Sequence, residues 1–218
     1  MITLNLNGHT RGPLTVLCLG AHADDIEIGC GGTLLKLTEE NRDVTVHWVV
    51  LSATPQRVRE ARRSAQVFLH GTCAKKVIIK NFRDSYFPFM GERIKKFIQQ
   101  LSREVSPDLI FTHRRRDLHQ DHRLLAELTW NAFRDHLILE YEIPKYDGDM
   151  GAPNTYVHLG KDLAERKVRH ICDQFKTQRS KQWFSEDTFL ALLRLRGIES
   201  NSPSKYAEAF YCQKMLLL

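Results

Sequence analysis

The sequence has few cysteines, and they are badly placed for pairing. Cys18, Cys30, Cys73, Cys172 and Cys212 are odd in number, far apart, and form no C-x-x-C. This argues against a disulfide framework or a cysteine zinc cluster, and it suits a reduced compartment, so a cytoplasmic location is expected. No apolar run reaches the ~18 residues that a membrane-spanning helix requires. The opening segment MITLNLNGHTRG lacks the basic start and apolar stretch of a secretory signal. Aromatic residues make up only 9% of the chain. No stacking motif, zinc finger or recognition helix accompanies them, so nucleic acid is not an expected partner. Internal repeats and low-complexity stretches are also missing.

What is present is ordinary for a soluble globular protein: 42% hydrophobic and 27% charged residues. A length of 218 residues suffices for a good core, and a single domain over 1–218 is expected. The net charge is +6, with basic clusters at Arg57–Arg63, Arg114–Arg116 and Lys161–Lys181. The third cluster reads as solvated helix faces. The second would favour an anionic substrate. No interface signature stands out, and a homo-oligomer is compatible with the sequence.

The first half alternates between two hydrophobic periods. Apolar or β-branched runs at 14–20, 43–51, 75–80 and 109–113 read as strands. Helical spacing appears at 31–41, 55–70, 90–104 and 119–135. Thr54 before Pro55 is a helix-start signal, and Gly71 a stop. Further strands are expected at 137–142 and 156–159, a loop at 144–155, and helices at 160–175 and 185–196. Alternation of this kind means βαβ units. The expected fold is α/β, a Rossmann-like three-layer sandwich with a mainly parallel central sheet.

Two polar clusters stand at strand ends. The first, LGAHADDIEIGCGG at 19–32, crowds His22, Asp24, Asp25 and Glu27 together. Like charges at this spacing repel unless a cation holds them or some are protonated. The second, THRRRDLHQDHRLL at 112–125, contains His113, Asp117, His119, Asp121 and His122. A helix starting near His119 would put His119 and His122 one turn apart on one face. In an open parallel sheet, ligands bind beyond the carboxyl ends of the strands, so the two clusters and Asp84 should meet at one edge. Imidazoles with carboxylates suit a divalent cation such as zinc, with one position left for water.

The plainer account is that such carboxylates cap a helix, and Glu27 is well placed to do so. For His9, His47, His70, His136, His158 and His170 the plain account is preferred. A 2-His-1-carboxylate non-haem iron enzyme is a rival. A catalytically silent sugar- or nucleotide-sugar-binding module is another. A dinucleotide site ranks last, because Gly29, Gly31 and Gly32 do not fit G-x-G-x-x-G.

AHADDIE at 21–27 and HQDH at 119–122 resemble the A-H-P-D-D-x-E and H-P-D-H motifs of the PIG-L/LmbE-like zinc-dependent N-deacetylases. YEIP at 141–144 and YAEAF at 206–210 extend the resemblance over most of the chain. Ala23 and Gln120 replace the two motif prolines, which stiffen turns and do not touch metal. The resemblance implies a hydrolase that removes an acetyl group from an N-acetylglucosamine-type conjugate. It makes His22, Asp25 and His122 the zinc ligands, or ligands of another divalent metal. Asp24 becomes the general base, His119 the acid or electrophile, and Asp121 the residue orienting a catalytic histidine. Arg57, with Glu60 in R-x-x-E, and Asp84 become substrate contacts.

Overall fold

The computed structural model describes residue 3, residues 13–40 and residues 43–216. The opening segment, His9 and the expected helix end at 41 lie outside the described residues. The strands β1 (Leu14–His22), β2 (Val44–Ser52), β3 (Ala74–Ile79), β4 (Leu109–His113) and β5 (Leu137–Tyr141) are joined by helices. These are α1 (Asp25–Glu40), α2 (Pro55–Phe68), α3 (Gly91–Glu104) and α4 (Gln120–Ala132). The chain closes with β6 (Thr155–Leu159), α5 (Lys161–Gln174), α6 (Glu186–Glu199) and β7 (Tyr206–Cys212).

The sheet order is β3-β2-β1-β4-β5-β7-β6. The first five strands run parallel, with Val16 opposite both Val46 and Leu109. β7 is antiparallel to β5 and to β6. The α/β reading therefore holds, with a mixed edge that the sequence reading did not include. Nothing local announces β7. It pairs between two strands remote from it in the chain.

Alternation along β1 sorts side chains to two faces. Val16 and Cys18 join a core with Leu34, Phe68, Val168 and Phe189, so α1, α2, α5 and α6 cover that side. Leu17 and Leu19 join Ile94, Ile98 and Leu125 beneath α3 and α4 on the other. Trp48, Phe68 and Phe111 are wholly buried, each contributing about 1.5–3 kcal/mol of transfer free energy.

One boundary needs correction. The first helix starts at Asp25, not at 31. The expected helix began inside the glycine run. In fact Gly29 and Gly31 are helical, and a Cβ on either would overlap the Tyr141 or Phe68 ring. Glycine here lets α1 lie close on the sheet and α2, which puts Asp25 and Glu27 on the helix's first turn. The third basic cluster also departs from expectation. Lys167 is buried, donating to Glu208 at 2.6 Å and to the Ile28 carbonyl at 2.7 Å.

Candidate metal and catalytic site

The strand order reverses at β1, whose neighbour β4 begins the second half of the sheet. Such a switch point opens a crevice beyond the strand ends. β1 ends in His22 and β4 ends in His113. A tight turn at Ala23 and Asp24 leads into α1. Asp24 has φ 130°, a conformation costly for a side chain with a Cβ. Surrounding bonds hold it there. The Asp24 carbonyl accepts from Ile28 N–H at 2.9 Å. Arg57 Nη2 lies 2.7 Å from Asp24 Oδ1 and also donates to the Ala23 carbonyl.

His22 and His122 meet at the centre. His22 Nδ1 lies 3.1 Å from His122 Nε2. Asp25 joins them: its Oδ2 is 3.5 Å from His22 Nδ1, and its Oδ1 is 3.6 Å from His122 Nε2. The outer nitrogens have their own carboxylates. His22 Nε2 is 3.2 Å from Asp121 Oδ2 and 3.2 Å from Asp84 Oδ1. His122 Nδ1 is 3.1 Å from Asp117 Oδ2. These partners put protons on the outer nitrogens. The inner nitrogens then face each other with no proton between them unless a cation supplies the charge, either an extra proton on His22 or a metal ion. Accordingly His22 is held well above its ordinary pKa. Burial works against that charge, but hydrogen bonds to Asp121, Asp25 and Asp84 outweigh it. Burial and the neighbouring His113 push His122 down to about 3. Burial would raise Asp25, but the histidines around it, His122 and His113 first, hold it well below its usual range. Among the described residues, three overlapping groups have ligand atoms close enough to share one ion: His22 with His119 and His122, Asp25 with His113 and His122, and His22 with Asp84 and Asp121; imidazoles and carboxylates so placed fit a divalent metal.

The remaining carboxylates behave differently. Asp24 Oδ2 is buried without a hydrogen-bond partner. Burial raises its pKa to about 6, with Arg57 opposing and Asp25 adding to the rise. Glu27 does not cap the helix. Both its oxygens are buried without partners, and burial pushes it up to about 8. The crowding of like charges is thus relieved partly by a site for a cation and partly by protonation.

His119 is the N-cap of α4 rather than a residue within it. Its Nδ1 accepts Asp121 N–H at 3.2 Å, which leaves the proton on Nε2. Its ring stacks on that of His122, centroids 4.4 Å apart. Asp121 is engaged away from His119. It accepts from Ser85 N–H at 2.7 Å, from Phe87 N–H at 3.0 Å, and from His22. Asp84 sits on His22 with its carboxylate largely exposed. Arg57 sits on the Asp24 turn, and Glu60 accepts from Thr177 N–H and Oγ1 rather than from Arg57. Arg114 stacks over the Tyr211 ring and donates to the Asp149 carbonyl. Arg115 stacks over Trp130 and donates to Glu140.

Two residues named only as cluster members carry more than the sequence suggested. His113 is fully buried, with Nε2 3.1 Å from Asp25 Oδ2 and 3.0 Å from the Ala21 nitrogen. Asp117 links His122 to Lys145, whose Nζ lies 3.2 Å away. Burial opposes its charge, yet the His122 hydrogen bond holds its carboxyl below the usual range. Position at the end of a strand was the signal for His113. For Asp117 there was no signal beyond its neighbours. His47, His70, His136, His158 and His170 take no part in this cluster. Cys18, Cys30, Cys73, Cys172 and Cys212 are all unpaired.

Comparison with known proteins agrees with this geometry. The profile of the family described as PIG-L, GlcNAc-PI de-N-acetylase, matches residues 17–133, which hold both polar clusters. Diacetylchitobiose deacetylase of Thermococcus kodakarensis is 29% identical over 109 residues, 44% of this chain and 39% of that protein. The match thus spans well under half of that relative's length. Among solved structures, N,N'-diacetylchitobiose deacetylase of Pyrococcus horikoshii superposes with TM-score 0.68 at 24% identity, covering 90% of this chain and 82% of that one. A 4-carboxy-2-hydroxymuconate hydratase of Pseudomonas putida superposes with TM-score 0.74 at 17% identity, covering 94% and 98%. At these identities the structures establish a shared fold.

Proposed function

The chain belongs to the PIG-L family, and from that premise we propose that it is a zinc-dependent hydrolase removing the N-acetyl group from an N-acetylglucosamine-type conjugate. The observation that carries the reading is the convergence of His22 Nδ1, His122 Nε2 and Asp25 on one point beside an unpartnered Asp24 oxygen. His22, Asp25 and His122 would hold the ion, and Asp121 and Asp117 would orient the two imidazoles from behind. When bound, zinc supplies a positive charge that polarises an amide carbonyl and brings the pKa of water toward ~7.

The chain's own groups do the proton work. Asp24 Oδ2 takes a proton from the attacking water, while Arg57 holds Oδ1 and keeps the carboxylate in place. Burial has already moved its pKa to about 6, near the range useful for a base at neutral pH. His119 carries its proton on Nε2 because Nδ1 accepts from the α4 backbone. It can therefore donate a hydrogen bond to the developing oxyanion, while the proton that Asp24 has taken from water passes to the leaving amine. Asp84, exposed beside the ion site, suits the sugar hydroxyls.

The test is metal analysis of purified protein followed by amine release from N-acetylglucosamine conjugates. About one zinc per chain and chelator-sensitive amine release are expected. Activity with iron that consumes oxygen, or hydration of an alkene without amide cleavage, would overturn the reading.

A further inference from the structure

Behind the imidazole of His122 lies a layer of charge that the proposed chemistry does not use. The Lys145 side chain is only 9% exposed. Its Nζ lies 2.7 Å from both oxygens of Asp149, 3.2 Å from Asp117 Oδ1 and 3.4 Å from the Ile143 carbonyl. An ammonium has three protons to donate, and three acceptor groups surround this one. A long cation enclosed in this way has given up hydration and rotamer freedom.

Asp117 is where this charge meets the site. Its Oδ1 accepts from His119 N–H at 2.8 Å and faces Lys145, while its Oδ2 lies 3.1 Å from His122 Nδ1. One carboxylate thus touches a proposed metal ligand and the backbone of His119. A carboxylate turns about its own bonds, so His122 alone does not fix where the oxygens point. Lys145 and the His119 N–H hold Oδ1, which aims Oδ2 at His122. The ammonium is itself fixed. Asp149, its other carboxylate partner, accepts Leu118 N–H at 2.7 Å, and so grips the residue between Asp117 and His119. The Asp149 carbonyl accepts from Arg114. The Gly151 carbonyl accepts from Arg196, whose guanidinium is paired with Glu142.

We infer that Lys145 is a positioning residue for the metal site, holding Asp117 so that His122 presents Nε2 to the ion. The inference rests on the proposed function and adds to it a residue that touches neither metal nor substrate. Simple Coulomb repulsion has the opposite sign, because removing a cation beside a cation site would tighten metal binding. The experiment measures zinc affinity by competition with a chromophoric chelator, for the parent, Lys145→Met, Asp117→Asn and the double variant. The unfolding midpoint of each metal-free protein is measured beside it. Losing a group that orients a metal ligand costs about 10–100-fold in affinity, and Lys145→Met should weaken zinc binding by about tenfold. A purely structural role would lower the midpoint and leave the affinity of the folded protein unchanged. In the Asp117→Asn background, Lys145→Met should cost about twofold or less, because the carboxylate through which it acts is gone. Should Lys145→Met not fold, Lys145→Gln takes its place with the same expectations.

Zinc affinity equal to or tighter than the parent's in the folded Lys145 variant overturns the inference alone. A tenfold loss that persists undiminished in the Asp117→Asn background also overturns it. A parent protein that binds no zinc overturns the functional reading and this inference with it.

Discussion

His22 and His122 are 100 positions apart in the chain, yet their ring nitrogens Nδ1 and Nε2 face each other at 3.1 Å. Each imidazole is turned to that point by a carboxylate behind it, Asp121 for His22 and Asp117 for His122. Under the proposed roles, metal holding and proton transfer fall to different residues, so the two can be perturbed independently.

His122→Ala should lose the metal outright, because one of the two imidazoles is gone. Asp117→Asn keeps the ligand and weakens its orientation, so zinc affinity should fall by about 10–100-fold. Elemental analysis after dialysis against graded chelator distinguishes the two. Full metal content in His122→Ala would show that the ion sits elsewhere.

Asp24→Asn should bind zinc as the parent does and lose roughly 10²–10⁴-fold in kcat. The amide keeps the shape and an acceptor for Arg57 but cannot take a proton. Metal content and turnover are measured on the same preparation. A variant with near-normal turnover would remove Asp24 from the base role.

Gly29→Ala should destabilise the fold by about 1–3 kcal/mol, because the added methyl would overlap the Tyr141 ring. Denaturant midpoints report the change. Tyr141 also donates to the Leu19 carbonyl at 2.7 Å, so it has little room to retreat. An unchanged midpoint would mean that α1 can lift from the sheet at little cost.

The Glu27 carboxyl, raised to about 8 by burial, binds its proton more tightly folded than unfolded. Its contribution is therefore fully present below the ordinary carboxylate range and is lost as pH rises toward and through about 8. Metal-free Glu27→Gln protein should match the parent in stability near pH 4 and exceed it at pH 9. Urea midpoints at the two values test this. A parent with no decline between them would place the ionised Glu27 in contact with water.

Local pattern carried far for β1 to β5, because strand and helix periods differ and their alternation leaves few topologies. It failed at the start of α1. There the glycines that discourage an isolated helix are the residues that let Tyr141 and Phe68 approach it. It was silent on β7, whose place between β5 and β6 depends on partners remote in the chain. Lys167 shows the same limit. A lysine in a basic stretch reads as solvated, and its burial is made tolerable by Glu208, 41 positions away, and by the Ile28 carbonyl.

Residue identities alone determined that histidines and carboxylates cluster at the ends of two strands, and that a parallel sheet would bring those ends to one edge. Tertiary structure decided which nitrogen of each histidine faces the common point. It also turned Asp121 toward His22, held Arg57 on the Asp24 turn, and left Asp24 and Glu27 partly or wholly without hydrogen-bond partners. The reason is physical. Alternation of polarity sets which way a segment faces, whereas tautomer, protonation and hydrogen-bond partner depend on what other segments place within about three ångströms.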